Sequence, residues 1–294
     1  MARTILVSAS DATFFPLLEE LHASVEQGVR QDGLDIGALD VGFAPGQRET
    51  LEKRGVLVRE AAHDYPPSIF RTAPKPFFRA MTARPHLPRY FPGYDLYLFL
   101  DADCWVQDWE AARLYLSAAQ AKGLAVTPEL DRSYSILYSE ETVAEWRLKI
   151  FRLCFAEAIA RKFAAFPLIN TGLFAARADS AVWEKWSVLL GNLYQSIGEP
   201  LFYAEQFALN AIVRSAMVPA ALLPARCNWM CNRSAPMTRE GGTVLCEPEP
   251  PHAPLGIVHI TGPDKDRLTE LTDVDGTRRS RSLRYRPISP GQPI

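Results

Sequence analysis

The chain has 294 residues, 48% of them hydrophobic and 22% charged, with a formal net charge of −2. This profile is globular, sufficient for one large α/β domain or two smaller ones, and it excludes a wholesale nucleic-acid binder. Five scattered cysteines read as reduced thiols rather than a disulfide framework; Cys227 and Cys231 in "CNWMC" lack a second Cys/His pair at zinc-site spacing.

"MARTILVSAS" reads as a first strand (3–9) and not as a secretory signal, and no run of 18 apolar residues suggests a membrane span. A helix follows over 14–30, with apolar spacing at Leu17, Leu18, Leu21 and Val25. Next come a strand at 34–43, a short helix at 45–55 stopped by Gly55, and a strand at 56–60. This β-α-β-α-β rhythm predicts an α/β fold with a mainly parallel central sheet flanked by helices. Residues 63–93 are rich in proline and aromatic side chains and read as loops around a broken helix at 75–84. A strand at 95–100 runs into Asp101-Ala102-Asp103. The helix at 108–123 starts on an aspartate cap and stops at Gly123, before a strand at 124–128. One long helix is expected over 139–163, capped by Ser139. Then follow a strand at 167–177, helices at 179–198 and 202–216, and a last strand at 256–262. The domain is read as 1–265, with 266–294 as a basic C-terminal tail.

Ligands collect at the carboxyl ends of parallel strands. Side chains alternate along an extended segment, so Asp101 and Asp103 are expected to share a direction while Ala102 points away. Two carboxylates at one spot need a counter-charge, and a divalent cation is the simplest. Such an ion can hold a nucleotide diphosphate and stabilise it as it leaves. The bland alternative is an Asp-rich turn. In "GIVHITGPDK", His259, Gly262 and Lys265 offer a third ligand, a glycine that admits a phosphate, and a cation for it. An imidazole in the set favours manganese over magnesium. His259 also reads, more blandly, as a core histidine. Asn170 with Gly172 reads equally as a bulge or as a close approach to a sugar.

Taken in order, these stretches resemble the GT-A fold glycosyltransferases, nearest the retaining family 8 enzymes (lipopolysaccharide galactosyl- and glucosyltransferases and glycogenin). The landmarks are "ILVSASDATFFPLL", "ALDVGFAPGQRETLEKRG", "LYLFLDADCWV", "LINTGLFAAR", "AEQFALN", "LPARCNW" and "GIVHITGPDK". Departures are Glu205 in place of an aspartate, Phe207 in place of an acid, and Asp266-Arg267 after Lys265. The resemblance implies a Rossmann-like nucleotide-diphospho-sugar transferase fold and a metal-dependent transfer of a hexose from a UDP-sugar to an acceptor hydroxyl, with retention. It implies Mn²⁺ (or Mg²⁺) on Asp101, Asp103 and His259. It places Ser8, Ala9 and Asp11 at the base and ribose, and Lys75 at the nucleotide. Asp101, Ala102, Asp103, Gly172, Gly262 and Lys265 fall at the donor, and Asn170, Glu205 and Gln206 at the donor sugar as catalytic candidates. An amide is not basic, so Gln206 would act as a dipole beside a forming oxocarbenium ion.

Carbohydrate, lipid-linked and protein acceptors all stay open, and a cytoplasmic location is expected. The arginines at 278, 279, 281, 284 and 286 suggest a weak peripheral contact with anionic lipid at the inner membrane face. The rival classes are a sugar-phosphate nucleotidyltransferase and a non-catalytic sugar-nucleotide binder. The first loop, "SASDATFF", has none of the glycine or basic residues that a nucleotidyltransferase uses.

Overall fold

Continuous apolar runs become strands buried on both faces, as parallel sheets covered by helices require. In β1 (Thr4–Ser10) and β4 (Leu96–Leu100) every residue is buried. The computed structural model describes residues 2–134, 143–239 and 241–286. Between β1 and β4 lie α1 (Phe15–Asp32), β2 (Asp35–Asp40), α2 (Gln47–Lys53), β3 (Leu57–Glu60), α3 (Phe78–Thr82) and α4 (Leu87–Tyr90). After β4 come β5 (Cys104–Val106), α5 (Trp109–Lys122), β6 (Leu124–Pro128), α6 (Val143–Phe151), α7 (Glu157–Ala164) and β7 (Ile169–Arg177). Then follow α8 (Val182–Ile197), α9 (Ala204–Arg214), β8 (Ala221–Leu222), β9 (Trp229–Met230), β10 (Met237–Arg239) and β11 (Val244–Cys246). The C-terminal strands are β12 (Ile257–His259), β13 (Leu268–Thr272) and β14 (Arg278–Ser282).

The central sheet has seven strands in the order β3-β2-β1-β4-β7-β6-β8. β3, β2, β1 and β4 are parallel; β7 runs antiparallel to both β4 and β6. Two cores cover its faces. One packs Phe99, Phe174 and Trp186 with α8 and α9, and the other packs Leu98, Leu100 and Tyr115 with α1 and α5. A second sheet, β5-β12-β9, lies beyond the carboxyl end of β4. This is the mixed, mainly parallel arrangement expected, and the cap on α5 is as read: Asp108 accepts from the Glu110 amide, and Gly123 takes φ +85°.

Two expectations fail. The helix expected at 139–163 is two helices, α6 and α7, and its proposed cap Ser139 lies outside the described residues. Ala156 is extended, at ψ 151°. The break folds Phe151, Phe155 and Phe163 together and sets Phe151 against Phe207 at 4.6 Å, which one straight stripe could not achieve. The strand expected to be last is followed by the β13–β14 hairpin, paired from Leu268↔Ser282 to Thr272↔Arg278. Leu271 and Leu283 are buried with Trp105 and Trp229, so the segment read as a tail adds to a core. Several of its arginines are engaged within the chain: Arg284 with Glu20 and Asp266, Arg278 with Glu270, and Arg281 with the Gly242 carbonyl. No helix among the described residues is long and apolar enough to cross a membrane.

Candidate active site

β4 ends at Leu100 and the chain turns at once. The Cys104 amide donates to the Asp101 carbonyl at 3.0 Å, closing a tight turn. The alternation expected for an extended Asp-Ala-Asp therefore does not hold. Ala102 is buried in the core below, and the two aspartates take different partners. Asp101 pairs with Arg84; Asp103 pairs with Lys265 and His259.

On the Asp103 side, β12 lies antiparallel to β5 with His259 opposite Cys104. His259 Nε2 stands 3.3 Å from Asp103 Oδ1. The hydrogen-bond network fixes the imidazole tautomer. The Gly172 amide, an unambiguous donor, gives its proton to Asn170 Oδ1 at 3.0 Å. That oxygen also accepts from Asn228 Nδ2 at 3.2 Å, so Asn228 turns its Oδ1 toward His259 Nδ1 at 2.9 Å. Nδ1 must then donate, which leaves Nε2 as the ring atom that faces the Asp103 carboxylate. Asp103 is buried, which opposes ionisation, but His259 and Lys265 outweigh this and hold its carboxyl well below the usual range. Lys265 Nζ also donates to the Ile260 carbonyl at 2.5 Å.

Asp101 occupies the other side. β7 leaves the β6 ladder between Val126 and Thr127, where the partners jump from Phe174 to Asn170. The bulge that "NTG" suggested is present, and it brings Thr171 and Gly172 to the end of β4, where the Asp101 amide donates to the Gly172 carbonyl at 2.7 Å. A Cβ on Gly172 would lie 2.5 Å from Asp101 Oδ2, 2.7 Å from His259 Cε1 and 2.9 Å from Asn170 Oδ1. Only a glycine fits, and the space above it is the one point where Asp101 and the imidazole come together.

Behind Asp101 lies a buried charge triad. Arg84, 7% exposed, pairs with Asp101 through Nη2 and with Glu205 Oε2 through Nη1 at 2.8 Å. The Thr171 hydroxyl donates to the same Glu205 oxygen at 2.9 Å. Burial disfavours the Arg84 charge, yet the two carboxylates hold the guanidinium firmly protonated. One cation between two acids does not serve both. Burial pushes Glu205 up to about 7 despite Arg84, and its Oε1 has no partner. Asn210 on α9 clamps both Ile169 backbone groups and the Gln206 carbonyl, setting α9 against the start of β7.

The other expected positions fall as follows. Ser8 is buried with an unpartnered Oγ at the end of β1, and Asp11 caps the Thr13 and Phe14 amides. Ala9 is buried on β1, and Gln206 is half-buried on α9 next to Glu205. Gly262 holds φ +99°, a conformation that favours glycine. Lys75 is exposed on the loop before α3, and Arg84 is the buried arginine that pairs with Asp101. Sequence reasoning missed Arg84, Thr171 and Asn228. Asn228 was findable, since it lies in "LPARCNW", one of the landmark stretches. Among the described residues, the His, Cys, Asp and Glu atoms within 4.8 Å of one another are those of Asp103, Cys104 and His259. Cys104 thus stands where sequence reasoning put Asp101, its buried thiol pushed well up by burial and the neighbouring acids.

No protein-family model and no curated protein matches the chain. Solved structures do. The chain is similar to the galactosyltransferase LgtC in complex with donor and acceptor sugar analogs, at 16% identity and TM-score 0.56, covering 88% of this chain and 87% of that one. An active-site mutant of LgtC gives TM-score 0.57 at 16% identity, with 88% of each chain covered. The WbbM bifunctional glycosyltransferase gives TM-score 0.52 at 11% identity, covering 90% of this chain and 46% of that one. The likeness shows the fold: the chain has the GT-A architecture of these glycosyltransferase structures.

Proposed function

We propose that the protein is a metal-dependent glycosyltransferase that moves a hexose from a UDP-sugar to an acceptor hydroxyl, with retention. The observation that carries this reading is the approach of His259 Nε2 to Asp103 Oδ1, at 3.3 Å, beside the Gly172 position that Asp101 also borders. An oxygen, oxygen and imidazole set suits a divalent ion of the manganese type, and Asp101, Asp103 and His259 would hold it. Such an ion supplies positive charge to a diphosphate as the bond to the sugar weakens.

The chain's own residues supply the rest. Asn228 keeps His259 Nε2 aimed at Asp103. Lys265 brings a cation within reach of the diphosphate, and Gly262 keeps the backbone there free of a side chain. Arg84 holds Asp101 in place and gives the donor sugar a positive wall. Glu205 is sealed behind Arg84 and Thr171, so it positions rather than attacks. Gln206, the adjacent and more exposed group, presents its amide dipole to the sugar. The similarity to LgtC, which binds donor and acceptor sugar analogs, favours a carbohydrate acceptor.

Calorimetry with UDP should show binding that requires Mn²⁺; equal affinity in EDTA would remove the metal. UDP release from a panel of UDP-sugars should be measurable in the wild type and absent in Asp103→Ala. Binding without release would leave a non-catalytic sugar-nucleotide binder.

A further inference from the structure

Cys104 is a buried thiol that the proposed transfer does not use, yet the fold sets it against two of the residues that would hold the ion. β5 and β12 pair antiparallel with His259 directly opposite Cys104, so both side chains stand on one face of the small sheet. The neighbouring pair, Trp105 and Val258, turns to the other face and packs in a separate core. Asp103 directly precedes Cys104, and its Oδ1 meets His259 Nε2 at 3.3 Å. Lys265 takes the other carboxylate oxygen, Oδ2. One ligand atom each from Asp103, Cys104 and His259 thus lie within 4.8 Å of one another. These residues are 9%, 2% and 3% exposed, so the three donors are screened from bulk water. Among the described residues Asp101 does not join the group, because Arg84 draws its carboxylate to the other side.

The donor chemistry of this group differs from that of the two aspartates. Carboxylates suit hard ions such as Mn²⁺ and Mg²⁺, whereas a thiolate selects soft ones. A carboxylate, an imidazole and a thiolate make a donor set of the zinc type. A tetrahedral ion with ordinary zinc–nitrogen and zinc–oxygen bonds sets those two atoms roughly 3.3–3.5 Å apart, and the His259–Asp103 separation of 3.3 Å matches it. A cysteine that only filled space among Leu100, Val106 and Ile257 would need neither the histidine opposite nor the carboxylate beside it.

We infer that Cys104 sets the metal preference of the site: thiophilic divalent ions of the zinc type bind on Asp103, Cys104 and His259, with Cys104 in the role that Asp101 has for manganese. The inference rests on the metal-dependent reading and extends it to a residue outside that ligand set. The S–H bond of Cys104 breaks as its sulfur binds the ion, and the proton passes to the buffer. Asp103 and His259 serve both kinds of ion, so the two exclude each other. Zinc should therefore compete with Mn²⁺-dependent UDP binding, and should compete less once the thiol is gone.

Cobalt(II) tests this on the full chain without UDP, because a cobalt–thiolate bond gives a near-ultraviolet charge-transfer band that oxygen and nitrogen ligands do not. The wild type should develop the band with one equivalent of cobalt. Cys104→Ala and Cys104→Ser should lose it, and Cys231→Ala, which removes the thiol that follows β9 in the same small sheet, should keep it. By calorimetry, Cys104→Ala should weaken zinc binding by more than the roughly 100-fold that losing an outer-shell partner costs. Its binding of UDP with Mn²⁺ should hold, which also shows that the variant folds. Cadmium NMR of the wild type reads the same sulfur with no substitution. No band in the wild type, a band that persists in Cys104→Ala, no cadmium–sulfur signature, or equal zinc affinity in the two proteins would each overturn the inference. A Cys104-dependent band with UDP binding that ignores Mn²⁺ would strike the metal-dependent transfer alone. Mn²⁺-dependent UDP binding without the band would strike the role of Cys104 alone.

Discussion

Asp101 and Asp103 sit two residues apart yet live in different electrostatic settings. Asp101 faces a buried guanidinium that it shares with a second carboxylate, Glu205. Asp103 faces an ammonium and an imidazole, with no second acid in its pairings. The Asp101 side is short of positive charge, and Glu205 shows it by holding its proton up to about 7. On the Asp103 side Lys265 and His259 keep the carboxyl ionised. One turn thus presents a locked acid and a poised one, and substitutions can unbalance either side.

The largest expected effect comes from removing the shared cation. Arg84→Met strands two acids in a buried space, and breaking such a pair costs about 3–5 kcal/mol; urea unfolding at pH 8 reads the loss. The pH dependence of Glu205 is next. An unfolded glutamate titrates near 4.3, so the folded chain keeps a proton that the unfolded chain releases. The Glu205 contribution to stability therefore falls as pH rises from about 4.3 to 7, by about 4 kcal/mol, and stays lower above that. Glu205→Gln should remove this slope, so that the variant gains on the wild type across that window in thermal melts. On the Asp103 side, Asn228→Ala frees the His259 tautomer. It should weaken Mn²⁺ binding with UDP about 10–100-fold, while the two lost hydrogen bonds cost about 1–3 kcal/mol in unfolding, less than the loss at Arg84. The smallest effect belongs to Thr171→Val, which removes one donor to Glu205 at a cost of about 1 kcal/mol and moves the Glu205 titration higher. Should Arg84→Met and Asn228→Ala prove alike in stability and in metal binding, the two sides are not distinct.

Much of this arrangement was legible from local pattern. Apolar runs announced β1, β4 and β7, and the Asp108 and Gly123 signals bounded α5 to within a residue. The convergence of Asp103, His259 and Lys265 was readable because each ends an apolar strand or follows it closely. Arg84 was not readable. It lies in an irregular, proline-rich stretch, and its partners are 17 and 121 residues away, so no periodicity marks it. The β13–β14 hairpin was hidden because its strands are mostly polar, with only Leu271 and Ser282 buried, so no apolar alternation announces it. The split of α6 from α7 reflects a ring cluster with α9, a contact that no local window contains.

The interruption in the β6–β7 ladder has a consequence for how the chain finds its register. Because side chains alternate along a strand, sliding by one position would exchange the faces of Asn170 and Thr171. The imidazole would lose its steering amide, and Glu205 its hydroxyl, in the same step. Shortening the chain by one residue between 171 and 173 is thus expected to silence both halves of the catalytic centre while the sheet still forms, a lesion visible as intact circular dichroism with no nucleotide uptake.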